Sequence, residues 1–166
     1  ALTSAPDDTD ELLISDAGTL KRIDVSLVGG KNTPSFSVTQ GSAQDISNAT
    51  ATKLAFNTEV FDTDSAFDHS SNYRFTVPSG KAGKYFFYAQ ATLQATQDAD
   101  ANSIFFYKNG SSFQSTMNTN QYYDTSEISI VMDLSAGDYI EVYYEHNRGT
   151  TDDVGGGRWY GFKLIT

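Results

Sequence analysis

Residues 83 to 93 read GKYFFYAQATL and place four aromatic side chains in succession, from Tyr85 to Tyr88. Successive side chains of a β-strand point to opposite faces of the sheet, so a strand here carries aromatic residues on both faces. A two-layer sandwich needs one apolar face per strand, and soluble proteins rarely leave a row of aromatic side chains in water. The fold must therefore cover a second aromatic face in addition to its core.

The composition favours an all-β protein. Hydrophobic residues make up 39% and aromatic residues 13% of the 166 residues, and Ser, Thr, Asn and Gln are abundant, as in short strands joined by polar turns. This length fits one domain with a short appendage and allows a core without covalent cross-links. Cysteine is absent, which excludes disulfides, thiolate chemistry and cysteine-ligated metals.

The charge balance argues against a nucleic-acid partner. The sequence has 11 basic and 21 acidic residues, a net charge of −10, and no basic patch that would attract a phosphate backbone. No apolar run approaches the roughly 20 residues of a membrane helix, so we expect no membrane insertion. The first residues also lack the basic and apolar parts of a signal peptide, so we expect no export signal.

The first 33 residues differ from the rest and form a predicted N-terminal attachment segment, residues 1–33, ahead of a main domain of residues 34–166. The stretch ALTSAPDDTD is acidic and without pattern, and GGKNTP at residues 29–34 is a natural linker. Between them, two apolar runs flank Asp16 to Thr19, which predicts a small hairpin with Gly18 in its turn. A lone hairpin is marginal in water and needs a surface to pack on.

The main domain reads as short strands at regular spacing, which is typical of a sandwich or barrel. The Asn109-Gly110 pair is a strong hairpin signal. No segment has helical periodicity with caps. We predict strands near residues 35–39, 52–56, 73–77, 84–94, 103–108, 111–117, 127–134, 139–146 and 159–165.

The motifs FYKNG, LSAGDYIEVYY and WYGFKLIT lie in residues 35–166 and resemble the globular head of complement C1q, a family that shares its jelly roll with tumour-necrosis-factor-like proteins. FYKNG resembles the central hairpin of that family, LSAGDYIEVYY its Leu-x-x-Gly-Asp strand start, and WYGFKLIT its closing strand. The central signature is matched by Phe56, Asp62, Phe67, Phe75, Pro78, Gly83, Tyr85 and Phe87. The resemblance implies a two-sheet antiparallel jelly-roll sandwich that assembles as a trimer. The chain departs from the family in a longer VPSGKAG turn and in Ala89, where an aromatic residue is typical.

A second, shorter resemblance concerns the N-terminal stretch. DELLISDAGTLKRIDVSLV is similar to segments that recur in tail-fibre and related structural proteins of bacteriophages. It implies a virion-surface, extracellular location, with the N-terminal segment attached to other virion proteins.

A trimer would cover the second aromatic face found above, because one side of the aromatic strand would enter the core and the other a subunit interface. The alternative is that these side chains are half-buried under a loop. The residues predicted at the trimer interface are Phe86, Tyr88, Tyr143, Tyr160 and Phe162.

Catalysis has little support in the sequence. His69 and His146 are far apart and lie in no nucleophile or metal motif, and no Gly-x-Ser-x-Gly occurs. The acidic pairs in residues 98–100 and 152–153 could bind calcium, which some relatives hold near the trimer apex, but solvated acidic loops are the commoner case. We therefore expect no cofactor.

Loops that join the strands are the better candidates for a binding site. Residues 146–160 and 117–126 combine aromatic, carboxylate, amide and guanidinium groups that can bind sugars, and residues 94–102 are a third candidate. For Trp159 the alternative is a core position, and for the triple glycine a flexible spacer. The candidate binding residues are Tyr122, Tyr123, Asp124, His146, Arg148, Asp152, Asp153, Arg158 and Trp159.

These observations predict a non-enzymatic virion-surface protein, a phage fibre or tip whose loops bind a host receptor or glycan with avidity from threefold repetition. The alternative is a structural protein that decorates a capsid or caps a tail and binds no specific ligand. A polysaccharide-cleaving enzyme would need two carboxylates at hydrolytic separation in one cleft.

Overall fold

A computed structural model describes residues 10–25, 28, 31–94, 99–121 and 125–164 of the chain. Contacts divide it into two units, with the division between Lys31 and Asn32. The role of the first unit in attachment stays a prediction.

The first unit contains the predicted hairpin. Strands β1 (Glu11–Asp16) and β2 (Thr19–Asp24) pair antiparallel along their whole length. Ala17 (φ 49°) and Gly18 (φ 84°) form its turn in the left-handed conformation that two-residue hairpins favour. Leu13 and Leu20 are 72% and 73% exposed. The hairpin therefore keeps apolar side chains in contact with solvent, as expected for two strands without a core of their own.

The second unit is built entirely of strands in its described residues. They are β3 (Ser35–Thr39), β4 (Gln44–Ile46), β5 (Thr52–Lys53), β6 (Thr58–Asp62), β7 (Phe67–Asp68), β8 (Arg74–Thr76), β9 (Gly83–Leu93), β10 (Ala99–Lys108), β11 (Ser111–Gln121), β12 (Thr125–Leu134), β13 (Tyr139–His146) and β14 (Asp152–Lys163).

These strands form two sheets. Sheet I has the order β12-β9-β14-β3-β6, with β4 also beside β14, and sheet II has the order β11-β10-β13-β8-β7, with β5 also beside β13. Every recorded pairing is antiparallel, and most neighbours are distant in sequence. The predicted two-sheet antiparallel jelly roll is confirmed.

The core lies between the sheets and is centred on Trp159 of β14. Its ring packs edge-on against Phe36 (5.3 Å between centroids) and Phe67 (4.9 Å), and the side chain has no exposed surface. Such aromatic pairs contribute about 0.5–1.5 kcal/mol each beyond the buried area. Strand β9 supplies Tyr85 and Phe87 to this core, whereas its alternate residues point outward and are half-buried. The predicted two-faced aromatic strand is confirmed.

The Asn109-Gly110 hairpin is also confirmed. Asn109 (φ 52°) and Gly110 (φ 78°) connect β10 to β11. Asp138 lies beside this turn and accepts hydrogen bonds from Asn109 Nδ2 (2.8 Å) and from the Ser135 amide (2.9 Å). Lys108 Nζ is 2.9 Å from the same carboxylate. This one side chain therefore joins the β10–β11 turn to the turn between β12 and β13.

Several predicted strand bounds are wrong, among them the end of the 52–56 strand, which stops at Lys53. The last strand begins at Asp152 instead of Trp159, because Gly155 to Gly157 form a bulge between β14 and β9. The triple glycine is therefore part of a strand and not a flexible spacer. Strands β10 and β11 extend to Ala99 and Gln121, which pair with each other, so residues 99–102 and 117–121 of the predicted loops are strand.

Gly161 lies where a side chain would enter the core. An added Cβ would meet a ring carbon of Phe87 at 2.4 Å and the Phe86 carbonyl oxygen at 2.9 Å. At Gly157 the nearest atom is the amide oxygen of Gln40, the end of a flexible side chain. We expect Gly161→Ala to lower the free energy of unfolding by about 1–3 kcal/mol through overpacking, and Gly157→Ala to lower it less. Urea unfolding measures both, and equal costs would contradict the packing described here.

The three hydrogen-bonding partners hold the pKa of Asp138 down to about 2, and the bond from Asn109 has the largest effect. A carboxylate with a depressed pKa stabilises the fold above its unfolded pKa, and this contribution is lost as the pH falls from near 3.8 to about 2. We expect Asp138→Ala to cost about 1–3 kcal/mol at pH 7 and to differ less from wild type at pH 2. The control Asp133→Ala removes an exposed carboxylate of β12, and an equal loss there would contradict the role of Asp138.

Candidate functional site

Four of the predicted interface residues lie together on the outer face of sheet I. The Tyr88 and Tyr160 rings are stacked at 4.9 Å, and the Phe86 and Phe162 rings lie 5.4 Å apart. The strand register places Val131 directly beside Phe86. Ser37 lies between Tyr160 and Phe61 in the same row. We call Phe61, Phe86, Tyr88, Val131, Tyr160 and Phe162 the aromatic face.

Much of the aromatic face is open to solvent in the single chain. Val131 is 55% exposed, Phe61 48% and Tyr160 38%. Phe86, Tyr88 and Phe162 are half-buried, so of the four predicted residues on this face only Tyr160 is exposed. An apolar surface of this kind on a folded domain is typical of an interaction site.

Polar groups border the aromatic face on one side. The Tyr88 hydroxyl is 2.8 Å from both Glu127 Oε2 and Gln90 Oε1. Burial raises the pKa of Tyr88 to about 12, and the hydrogen bond to Glu127 adds to the shift. Arg158 is exposed on the same face of β14 and favours the ionised tyrosine. The aromatic residues thus have a rim of hydrogen-bonding groups, as protein interfaces commonly do.

Tyr143, the fifth predicted interface residue, is not on this face. It belongs to β13 of sheet II, where its ring stacks on Tyr107 at 3.9 Å. Burial and the charge of Glu141 raise its pKa. Tyr143 therefore lies on the opposite outer surface of the sandwich from the aromatic face.

His146 and Arg148, two of the predicted binding residues, are buried and hydrogen-bonded within the chain. Nε2 of His146 is 2.9 Å from the Ile46 carbonyl oxygen, and the Arg148 amide donates to Nδ1 at 3.4 Å. Arg148 Nη1 is 2.7 Å from Asp152 Oδ1, with side-chain exposures of 7% and 17%. These residues hold the ends of β13 and β14 together, which is a structural role.

Trp159 is completely buried, so its ring cannot stack on a ligand from solvent. The alternative reading, a core position, is confirmed. Asp153 and Arg158 are exposed on the outer face of sheet I. Asp153 lies opposite Asp45, and a hydrogen bond with that carboxyl group raises its pKa. Residues 146–160 therefore do not form one site.

Parts of the other two candidate loops lie outside the described residues. Tyr122, Tyr123 and Asp124 lie outside the described residues, as do 95–98 of the third candidate loop. In the described ranges, no group of three or more acidic or histidine side chains is arranged to hold a metal ion. No helix in the same ranges is long and apolar enough to cross a membrane.

One feature was not predicted, a cleft of about 410 Å³ beside strands β7 and β8. Its lining includes Asp64, Ser65, Asp68, Asn72, Arg74 and Pro78. The available signal was the run DTDSAFDHSSN, whose Asp and Ser side chains favour tight turns that hydrogen-bond their own backbone.

Solved structures with the same fold exist. The globular domain of zebrafish complement 1qA has a TM-score of 0.60 and 18% identity, covering 80% of this chain and 98% of its own. Murine APRIL has a TM-score of 0.59 and 14% identity, covering 78% of this chain and 98% of its own. PRD1 vertex protein P5 has a TM-score of 0.63 and 14% identity, covering 81% and 99%. The chain therefore has the C1q/TNF-like jelly-roll fold.

At these identities the likeness concerns the fold alone. No protein-family model and no curated protein sequence matches the chain.

The buried ion pair between Arg148 and Asp152 allows the structural role of Asp152 to be tested against its exposed neighbour Asp153. Asp152→Ala leaves the Arg148 guanidinium buried without its carboxylate, and we expect a loss of about 2–4 kcal/mol in unfolding free energy. Asp153→Ala, in the exposed neighbour, should change it by less than about 0.5 kcal/mol. Thermal and urea unfolding of both variants provides the comparison. Equal stabilities would show that the pair does not hold β13 to β14.

Proposed function

We propose that this chain is a trimeric, non-enzymatic protein of a virion surface that attaches the particle to its host cell. The observation that carries the proposal is the aromatic face, a half-exposed apolar surface on an otherwise well-packed sandwich. A neighbouring copy of the chain would cover it.

A closed trimer joins two different surfaces at each contact, because its interfaces are heterologous. The second surface is the edge formed by β11 and β12. Phe113 and Met117 of β11 are 54% and 63% exposed. A cavity of about 260 Å³ between these two strands, lined by Tyr88 and Thr116 among others, offers a recess for a side chain of the neighbour. Aromatic residues and methionine are enriched at such contacts.

Two observations support a virion location. The fold is shared with a phage vertex protein, and the N-terminal stretch resembles segments of phage fibre proteins. The exposed Leu13 and Leu20 of the N-terminal hairpin are suited to pack on another virion protein. Host binding would then use the trimer surfaces that remain free, with avidity from three copies.

A structural role is the second candidate. A vertex-like protein can also decorate a capsid or cap a tail without a ligand of its own. The two functions share the trimer and differ in whether the isolated protein binds cells.

The trimer is tested by placing a charge on the aromatic face. Val131→Glu introduces a carboxylate at a position that is 55% exposed in the single chain, so the protomer should still fold. We expect sedimentation of Val131→Glu, and of Tyr88→Glu, to give monomers, because an unpaired charge is costly in a buried interface. Ser79→Glu, which puts the same charge in an exposed turn, should leave the assembly unchanged. Assembly of all three variants as in wild type would contradict the proposed interface.

Attachment is tested with the intact trimer and a panel of bacterial cells. Selective adsorption that saturates, and that competes with phage infection, supports host binding. A trimer that adsorbs to no cell type would contradict host attachment and favour the structural role.

A further inference from the structure

The cleft beside β7 and β8 is lined by two aspartates, Asp68, which organises the loop before β8, and Asp64, in the loop before β7. Asp68 accepts hydrogen bonds from the amides of Ser70 (3.0 Å) and Ser71 (2.9 Å) and from Asn72 Nδ2 (2.6 Å). Asp64 Oδ1 is 3.2 Å from Lys81 Nζ. Both carboxylates therefore have partners that fix their position at the cleft, and they retain further acceptor sites.

Arg74 differs from the other charged groups at the cleft. The register places it between Asp68 of β7 and Glu141 of β13, but neither carboxylate forms an ion pair with it. Its guanidinium lies 4.3 Å from the centre of the Tyr139 ring, a cation–π contact that fixes its orientation. In the described part of the chain, no group accepts a hydrogen bond from the Arg74 guanidinium. Its five N–H donors are thus available at a half-buried position.

The cleft presents both donors and acceptors within a volume suited to a small ligand. Arg74 and Asn72 carry donors, Asp64 and Asp68 carry acceptors, and Ser65 can act as either. Ala66 and Pro78 add apolar surface. The volume of about 410 Å³ lies within the range of small-molecule sites.

We propose that this cleft binds a neutral hexose unit of a glycan, with Arg74 and the two aspartates as the residues that hydrogen-bond its hydroxyl groups. Sugar hydroxyls donate to carboxylates and accept from guanidinium, and such charge-assisted bonds are the stronger ones. The proposal deepens the proposed host attachment and rests on it for its biological meaning.

The charges favour a neutral sugar over an acidic one. Asp64 and Asp68 balance Lys81 and Arg74, so the cleft has no excess of positive charge. The chain as a whole carries a net charge of −10. A uronic acid would bring its carboxylate close to two others in an acidic protein, which is unfavourable.

The cleft also lies away from the proposed subunit contact at β11 and β12. The cleft is lined by β7 and β8 of sheet II, whereas the aromatic face is on sheet I, and β7 is at the opposite edge of sheet II from β11. The trimer would therefore leave three such clefts, one in each protomer.

Binding is measured on the intact protein by nuclear magnetic resonance. The probes are the methyl α-glycosides of glucose, galactose and mannose, with galacturonic acid as the acidic comparison. We expect at least one neutral glycoside to shift the amide signals of residues 64–76 in a saturable way. Arg74→Met, which keeps the length of the side chain and removes its donors, should weaken this binding at least about ten-fold.

Two further variants complete the experiment. Arg22→Met, in the N-terminal hairpin, removes an exposed guanidinium of the same kind and should leave binding unchanged. Asp64→Asn removes one carboxylate with little change of shape and should also weaken binding, which provides a second test if Arg74→Met does not fold. No saturable shift with any neutral glycoside, binding of galacturonic acid alone, or unchanged binding in both cleft variants would overturn the proposal.

Failure of this proposal can be told apart from failure of host attachment. If the trimer adsorbs to cells and Arg74→Met adsorbs equally well, the cleft is not the site and attachment uses another surface. If a neutral glycoside binds the cleft but no cell is bound, the cleft assignment stands and host attachment is wrong.

Discussion

The structure depends on one strand that is aromatic on both sides. Strand β9 lies next to β12 and β14 in sheet I, so its side chains decide what both faces of that sheet must contact. Tyr85 and Phe87 pack into the centre of the sandwich, where Phe87 lies near Phe36, Phe75 and Phe106. Phe86 and Tyr88 point away from this core and pair with aromatic residues of β14. The core covers one of these two faces completely, and in the proposed trimer a neighbouring copy would cover the other.

The core explains a departure from the family pattern. Ala89 occupies a position where C1q-like sequences usually have an aromatic residue, and it lies directly beside Trp159 in the register of β9 and β14. Both side chains point into the core and both are completely buried. The indole of Trp159 thus fills the space that a larger residue on β9 would occupy. The binding role first considered for Trp159 conflicts with this packing.

The strands and turns that depend on local sequence pattern could be predicted from the sequence. The alternation in β9, the Asn109-Gly110 turn and the bounds of β3 and β13 all follow from side-chain period and turn chemistry. Strands such as β5 and β7 have only two residues each, too few to show a period. They are recognised as strands only through their pairing with β13 and β8. Gly155 to Gly157 have low strand propensity, so only the pairing with β9 on both sides of the register shift identifies them as a bulged strand.

Local sequence pattern also placed only part of the candidate site. Alternation correctly placed Phe86, Tyr88, Tyr160 and Phe162 on outward faces, but it could not reveal that Tyr143 belongs to the other sheet. His146 is held by Ile46, a residue 100 positions away in the chain, and no local pattern records such a contact. Asp62 and Asp68 order the cleft loop through short-range hydrogen bonds. These turns can be predicted from the sequence, whereas the cleft depends on the pairing of β7 with β8.

In the proposed trimer, a second copy of the chain covers the aromatic face. The most direct test is the mass of the intact wild-type protein by native mass spectrometry and light scattering over a range of dilutions. We expect a particle of three times the 18.1 kDa chain mass that persists on dilution. A single-chain mass at all concentrations, with the aromatic face exposed to solvent, would contradict it.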